Sequence, residues 1–120
     1  MVGAFYEPTL ISGVTNDMKV WTEEVFGPVL PVVSFETEVE AIELANDTKY
    51  GLGAFIFTTD KAQMSRVSGQ LQSGMVSQNN LSYIKPCDPF GGYKQSGIGR
   101  EHGKYGFEDV TQVKVIAQEK

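Results

Sequence analysis

The chain has 120 residues, of which 41% are hydrophobic and 21% charged, so it has room for one globular domain and is not disordered by composition. Its net charge of −5, with scattered Lys and Arg residues, argues against nucleic acid and anionic membrane surfaces as partners, because both require a basic patch. One cysteine excludes an internal disulfide and a thiolate metal cluster, and no apolar run approaches the ~20 residues of a membrane span.

The N-terminal stretch, to about Thr22, is rich in turn residues and lacks the basic and apolar regions of a signal peptide. We therefore expect a cytoplasmic protein. The next segment, Val29–Phe35, is an apolar and β-branched run that predicts a strand. Pro31 lies inside it and has no amide hydrogen, so it belongs where no ladder bond is needed.

Capping residues and apolar spacing predict two helices. The first is predicted over Thr37–Asn46, where Thr37 and Glu40 form a capping box. The second is predicted over Asp60–Gln72, where Asp60 can accept hydrogen bonds from the first amides of the helix. The apolar positions at helical spacing are Val39, Ile42 and Ala45 in the first helix, and Met64, Val67 and Leu71 in the second.

Further strands are predicted around these helices. Gly53–Thr58 is apolar on both faces, as in a buried strand, and Met75–Gln78 is a short third strand. A long loop follows to about Gly99, then a short helix over Arg100–Gly106 and an alternating edge strand over Val113–Ala117. The alternation of strands and helices predicts an α/β fold, with a parallel sheet and flanking helices.

Several motifs in the same order resemble the C-terminal part of the aldehyde dehydrogenase superfamily, which is NAD(P)-dependent. The resemblance implies the C-terminal part of the family's catalytic domain over residues 1–109 and an oligomerisation strand and tail over residues 110–120. The motifs are Phe5–Thr9, Glu23–Val29 (EEVFGPV), Ala45–Leu52 (ANDTKYGL) and Phe90–Glu101 (FGGYKQSGIGRE).

The resemblance implies roles for individual residues. Glu24 corresponds to the glutamate that accepts hydrogen bonds from the nicotinamide-ribose hydroxyls of NAD or NADP, which suits an ionised carboxylate. Phe26 corresponds to the aromatic residue beside the nicotinamide ring, and Phe90 to one that lines the aldehyde pocket. The loop Asn80–Asp88 corresponds to the segment that shapes substrate specificity. From composition alone, Glu24 would be a solvated acid and Phe26 a core residue.

The chain departs from the family pattern in its third predicted strand. Residues Val76–Asn79 read VSQN where the family usually has Val-Trp-Val-Asn, which affects both the packing of the strand and the choice of substrate. The run Gly97–Gly103 does not match a dinucleotide-binding loop, because its third glycine comes one position late and no strand precedes it.

No catalytic residue and no metal site are expected in this chain. Cys87 lies beside Asp88, and a carboxylate disfavours the thiolate that a nucleophile requires, so we interpret Cys87 as a loop thiol. The family's nucleophile belongs to a different, upstream motif. His102 is the one histidine and is expected on a helix surface, which leaves too few ligands for zinc.

The resemblance implies a C-terminal fragment or truncated form of an enzyme that oxidises an aldehyde to a carboxylic acid with NAD or NADP. The chain alone is predicted to be inactive, since it lacks the nucleophile, hydrolytic glutamate and nucleotide-binding motifs. Its expected partners are the aldehyde in the complete enzyme and either further copies in a homo-oligomer or the upstream half of the same enzyme. The alternative is a standalone non-catalytic module. The motifs do not distinguish NAD from NADP and do not identify the aldehyde.

Overall fold

The computed structural model describes residues 3–81 and 84–119, and the chain divides into two compact units, Met1–Ala41 and Ile42–Lys120. Among the described residues no helix is both long enough and apolar enough to cross a bilayer. The strands are β1 (Thr9–Ile11), β2 (Val29–Pro31), β3 (Tyr50–Gly51), β4 (Gly53–Ile56), β5 (Met75–Gln78) and β6 (Tyr93–Lys94), and the helices are α1 (Lys19–Thr22), α2 (Glu38–Asn46), α3 (Lys61–Ser68) and α4 (Gly103–Asp109).

In the first unit, β1 and β2 pair in parallel, with Thr9 opposite Val29 and Ile11 opposite Pro31. The strand predicted in Val29–Phe35 is therefore confirmed, although it ends at Pro31, where the proline lacks an amide hydrogen. Its partner β1 was not predicted, because three residues in a turn-rich stretch carry no readable pattern. The strand forms because its backbone groups pair with residues 20 positions away.

In the second unit, β4 and β5 pair in parallel, with Gly53 opposite Met75 and Ile56 opposite Gln78, and α3 connects them. This β-α-β connection was predicted and is confirmed. The prediction that Val29–Phe35 joins these two strands in a single sheet is wrong for the described residues. There, β2 pairs with β1, and β4 and β5 pair only with each other. The long loop after β5 contains β6, which pairs antiparallel with β3 and was not predicted.

The helix starts follow the predicted capping chemistry. The Glu40 amide donates to Thr37 Oγ1 at 3.1 Å, and the Glu40 carboxylate accepts from the Glu36 amide at 2.7 Å, one residue earlier than in the usual capping box. Asp60 Oδ1 accepts from the amides of Ala62 and Gln63 at 2.8 and 3.2 Å. Helix α3 ends at Ser68, four residues before the predicted Gln72, and α4 begins at Gly103 rather than Arg100.

The buried core is small. Among the residues that the structure describes, the buried hydrophobic ones are Val14, Ile42 and Met75. The segment around β4 was predicted to be covered on both faces, but Phe55 is 42% exposed and Phe57 is 80% exposed, so one face is open. Large hydrophobic side chains are exposed in both units, so the described residues leave much apolar surface uncovered.

The C-terminal residues form no element. Residues 112–119 have neither helix nor strand, and Val113 is 99% exposed. The edge strand predicted over Val113–Ala117 is thus not paired within the described part of the chain. A strand needs a partner for its backbone groups, and none of the described strands supplies one here.

Candidate functional site

Glu24 and Phe26 lie in the segment between α1 and β2 of the first unit. Two short-range backbone bonds shape this segment, from the Gly27 amide to the Val25 carbonyl at 3.0 Å and from the Val29 amide to the Gly27 carbonyl at 2.8 Å. The Glu24 side chain is exposed, and Phe26 is 98% exposed. Phe26 is therefore not a core residue of its unit, as composition alone had favoured, whereas the exposed Glu24 agrees with a solvated acid.

A concave surface of about 510 Å³ continues from this segment along β1 and β2. It is lined by residues 8–10 and 27–30, which are mostly apolar. The motif that contains Glu24 and Phe26 therefore leads directly into the wall of a cavity. Glu24 and Phe26 are not among its lining residues, and an apolar concavity is the kind of surface that binds a small organic ligand.

Phe90 lies in the second unit and is half-buried. Its amide donates to the Glu101 carbonyl at 2.7 Å, and its carbonyl accepts from the Glu101 amide at 2.7 Å. Its ring faces the His102 ring at a centroid distance of 5.9 Å and a tilt of 48°. His102 was predicted to lie on a helix surface; its side chain is exposed, but the residue precedes α4, which begins at Gly103. No local pattern indicated its contact with Phe90, which joins residues 12 positions apart.

Arg100 stabilises the loop after Phe90 through hydrogen bonds and a contact with an aromatic ring. Its guanidinium donates to the Gly92 carbonyl at 3.0 Å and lies 5.6 Å from the centre of the Tyr93 ring. Its backbone amide donates to Asp109 Oδ2 at 2.7 Å. Arg100, Gly92 and Asp109 line a cavity of about 400 Å³ that Phe90 also lines, so the hydrogen bonds of Arg100 stabilise part of the cavity wall.

Hydrogen bonds join two of the family-like motifs, Ala45–Leu52 and Phe90–Glu101. Lys94 Nζ donates to the carbonyls of Asn46 and Thr48 at 2.7 and 2.9 Å, where a cation also compensates the negative end of α2. The Gly51 amide donates to Ser96 Oγ at 2.9 Å. These polar residues of Ala45–Leu52 and Phe90–Glu101 thus stabilise the fold of the second unit.

Ser77 and Gln78 replace the family's usual Trp and Val at the end of β5, whereas Asn79 matches the family pattern, and all three side chains are hydrogen-bonded. Ser77 is 5% exposed and donates to the Asn80 carbonyl. Gln78 Nε2 and Asn79 Nδ2 donate to the Thr58 carbonyl at 2.7 and 2.9 Å, and the Thr58 amide donates to Asn79 Oδ1 at 3.0 Å. The departure from the family pattern is therefore accommodated without unpaired buried groups at these side chains.

Cys87 has surroundings that differ from those of an activated nucleophile. Its side chain is exposed, and its sulfur lies 3.6 Å from Asp88 Oδ1. Within residues 3–81 and 84–119, no group of three or more His, Cys, Asp or Glu side chains is arranged to hold a metal ion. The predicted specificity loop Asn80–Asp88 is described except for residues 82 and 83, which lie outside the described residues.

The chain is similar to known aldehyde dehydrogenases over nearly its whole length. The model of the aldehyde dehydrogenase family matches residues 1–116. The mitochondrial succinate-semialdehyde dehydrogenase of Oryza sativa subsp. japonica is 50% identical over 113 residues, which make up 94% of this chain and 21% of that protein.

Solved structures agree with this similarity. The betaine aldehyde dehydrogenase of Staphylococcus aureus, in complex with NAD+, is 50% identical with a TM-score of 0.85 over 89% of this chain and 21% of that one. The NAD-dependent aldehyde dehydrogenase of Sinorhizobium meliloti is 42% identical with a TM-score of 0.88, over 92% of this chain and 22% of that one. The chain spans about a fifth of the length of these relatives.

Proposed function

Because the chain belongs to the aldehyde dehydrogenase family, we propose that its residues serve as the C-terminal part of an NAD(P)-dependent enzyme that oxidises an aldehyde to a carboxylic acid. Residues 1–109 would belong to the catalytic domain and residues 110–120 to an oligomerisation strand. On this proposal the chain alone is inactive, and its partners are the rest of the enzyme and further copies of it. The proposed compartment is the cytoplasm.

The observation that carries the proposal is the exposure of Phe26 next to Glu24. A phenylalanine side chain gains about 1.5–3 kcal/mol when it is buried, so a ring that is 98% exposed favours a ligand or another segment that covers it. The flat ring suits the face of a nicotinamide, and the exposed Glu24 carboxylate suits two ribose hydroxyls. Bound NAD(P)+ supplies the hydride acceptor of the reaction.

In this arrangement each residue positions a reactant. Glu24 orients the ribose by accepting its hydroxyl protons in hydrogen bonds, and Phe26 limits where the attached ring can lie. Phe90 forms part of the wall of the aldehyde pocket. Two relatives at the same 50% identity are named for different aldehydes, succinate semialdehyde and betaine aldehyde, so the proposed substrate is an aldehyde and no more specific.

The roles of Glu24 and Phe26 are tested in a complete aldehyde dehydrogenase whose matched segment is replaced by residues 1–116 of this chain, which we call the hybrid enzyme. Glu24→Gln should cost ~1.5–3 kcal/mol through the loss of charge-assisted bonds, which lowers kcat/KM for the cofactor by about 10- to 100-fold. Phe26→Ala should impair cofactor use in the same direction. Steady-state kinetics with varied NAD+ and NADP+ measure both effects.

Glu23→Gln is the matched control. Glu23 is also exposed, and its ion pair with Lys19 is long, at 3.9 Å between two solvated side chains. Such a pair contributes little, so the variant should keep the kinetics of the hybrid enzyme. If Glu24→Gln behaves like Glu23→Gln at both cofactors, the assigned role of Glu24 is wrong.

The second candidate function is a standalone, non-catalytic module. The hydrogen bonds between the motifs at Ala45–Leu52 and Phe90–Glu101 favour this function. They lie entirely within the second unit and stabilise its fold through contacts within that unit. Mass spectrometry of the protein purified from its natural source separates the two candidates. A folded monomer of 13.2 kDa supports the module, and a larger polypeptide that contains this sequence supports the enzyme.

A further inference from the structure

The backbone at Phe90 and at Pro86 before it is held by the segment that precedes and begins α4. Phe90 exchanges two backbone hydrogen bonds with Glu101, both at 2.7 Å. Four residues before Phe90, the Pro86 carbonyl accepts a bond from the Gly103 amide at 3.1 Å. With its backbone held in this way, the freedom that remains to Phe90 is rotation of its side chain.

His102, between these two anchoring residues, has an unusual backbone. Its φ is 64° and its ψ is 161°, a region that is essentially restricted to glycine. Its side chain makes no capping hydrogen bond to α4. A glycine would therefore suit the backbone better and would lose no cap, so the reason for a histidine here must lie in what its side chain touches.

The ring of His102 touches the ring of Phe90. The centroids are 5.9 Å apart and tilted by 48°, within the range of favourable aromatic pairs. An imidazole on one side of Phe90 restricts the rotation of the phenyl ring, which is the freedom left by the fixed backbone. Strained residues that persist in a fold are concentrated at sites where the strain supports function.

We propose that His102 is a positioning residue that sets the orientation of the Phe90 ring and thereby the size of aldehyde that the pocket accepts. The proposal rests on the proposed function, since Phe90 must line the aldehyde pocket. It adds a residue that acts through Phe90 without contact with the aldehyde. Its expected signature is a change in the selectivity between small and bulky aldehydes, with the chemical step preserved.

Three variants of the hybrid enzyme test the proposal: His102→Gly, His102→Phe and Phe90→Ala. The KM and kcat of each are measured with propanal, hexanal and benzaldehyde. His102→Gly should change the ratio of KM values between the bulky and small aldehydes by about tenfold, the effect of a small change in the shape of an apolar pocket, and leave kcat nearly unchanged. His102→Phe keeps an aromatic ring against Phe90 and should retain the ratio of the parent.

The thermal midpoint of each variant separates positioning from folding. Glycine adopts φ 64° without strain, so His102→Gly should not lower the midpoint. Unchanged KM ratios in His102→Gly, with Phe90→Ala altering them, would overturn the role of His102 and leave the proposed function standing. Unchanged ratios in Phe90→Ala would overturn both the pocket assignment of Phe90 and the proposal about His102.

Discussion

At the scale of single residues, Asn46 connects the end of α2 to the segment after α3. Its Nδ2 donates to the Gln70 carbonyl at 2.9 Å, and its Oδ1 accepts from the Gln72 amide at 2.8 Å. One side chain thus satisfies two backbone groups that belong to no helix or strand. An amide is the side-chain group that offers a donor and an acceptor at this short spacing.

We expect Asn46→Ala to weaken this connection. Loss of the bonds should cost about 1 kcal/mol, because the backbone groups can turn to water, and amide exchange at Gln72 in the hybrid enzyme should become about fivefold faster. Hydrogen–deuterium exchange measures this change in the exchange rate of the Gln72 amide. Asp47→Ala, one residue further along, is the control and should leave the exchange unchanged. Equal exchange in both variants would show that the Asn46 side chain does not hold this segment.

At the scale of elements, α3 depends on the cap at its first turn. Asp60 accepts from two amides that have no partner within the helix. Asp60→Ala should lower the local stability of the helix by about 0.5–2 kcal/mol, whereas Asp60→Asn should keep most of it, because asparagine caps nearly as well. Amide exchange at Ala62 and Gln63 in the hybrid enzyme reports the change. Similar exchange in the two variants would contradict the capping role.

The stability of the β4–β5 sheet depends on the protein that covers its faces. The strands β4 and β5 are four residues long, and each places its bonds on one partner. A two-stranded sheet is marginally stable unless its faces are covered. Because the face that carries Phe55 and Phe57 is open, we expect these strands to need further protein around them for stability.

At the scale of the whole molecule, the exposed apolar surface predicts association. Many large hydrophobic side chains are exposed, including Phe26, Ile98 and Val113, and large uncovered apolar patches usually mark interfaces. We expect the isolated chain to be either an oligomer or marginally stable. Light scattering and thermal unfolding measure this. A monodisperse monomer with a sharp cooperative transition would contradict the prediction and favour the standalone module.

The isolated chain should also lack aldehyde oxidation activity. The reaction of the family proceeds through a covalent intermediate on a nucleophile, and the thiol in this chain, Cys87, is exposed beside the Asp88 carboxylate. Formation of NADH or NADPH with a simple aldehyde is the measurement, with the hybrid enzyme as the positive control. Activity of the isolated chain that disappears in Cys87→Ser would show that this thiol is a nucleophile after all.

The sequence by itself determined the features that depend on residues close together in the chain, such as the starts of helices and the positions of strands. The capping residues Thr37 and Asp60 located the starts of α2 and α3, since a cap satisfies amides within a few residues of itself. The apolar runs located β4 and β5, and the helix predicted between them indicated their parallel pairing. The family motifs identified the candidate residues Glu24, Phe26 and Phe90, whose roles remain predictions.

Only the tertiary structure decided what depends on distant pairing. The short strands β1, β3 and β6 form because their backbone groups find partners far along the chain, and two or three residues carry no periodicity that would indicate this. Burial depends on which faces are covered, so Phe26 could be read as a core residue until the structure placed its ring in solvent. The His102–Phe90 contact arises from the backbone bridge between Phe90 and Glu101, a long-range hydrogen-bond pair that leaves no mark on local sequence.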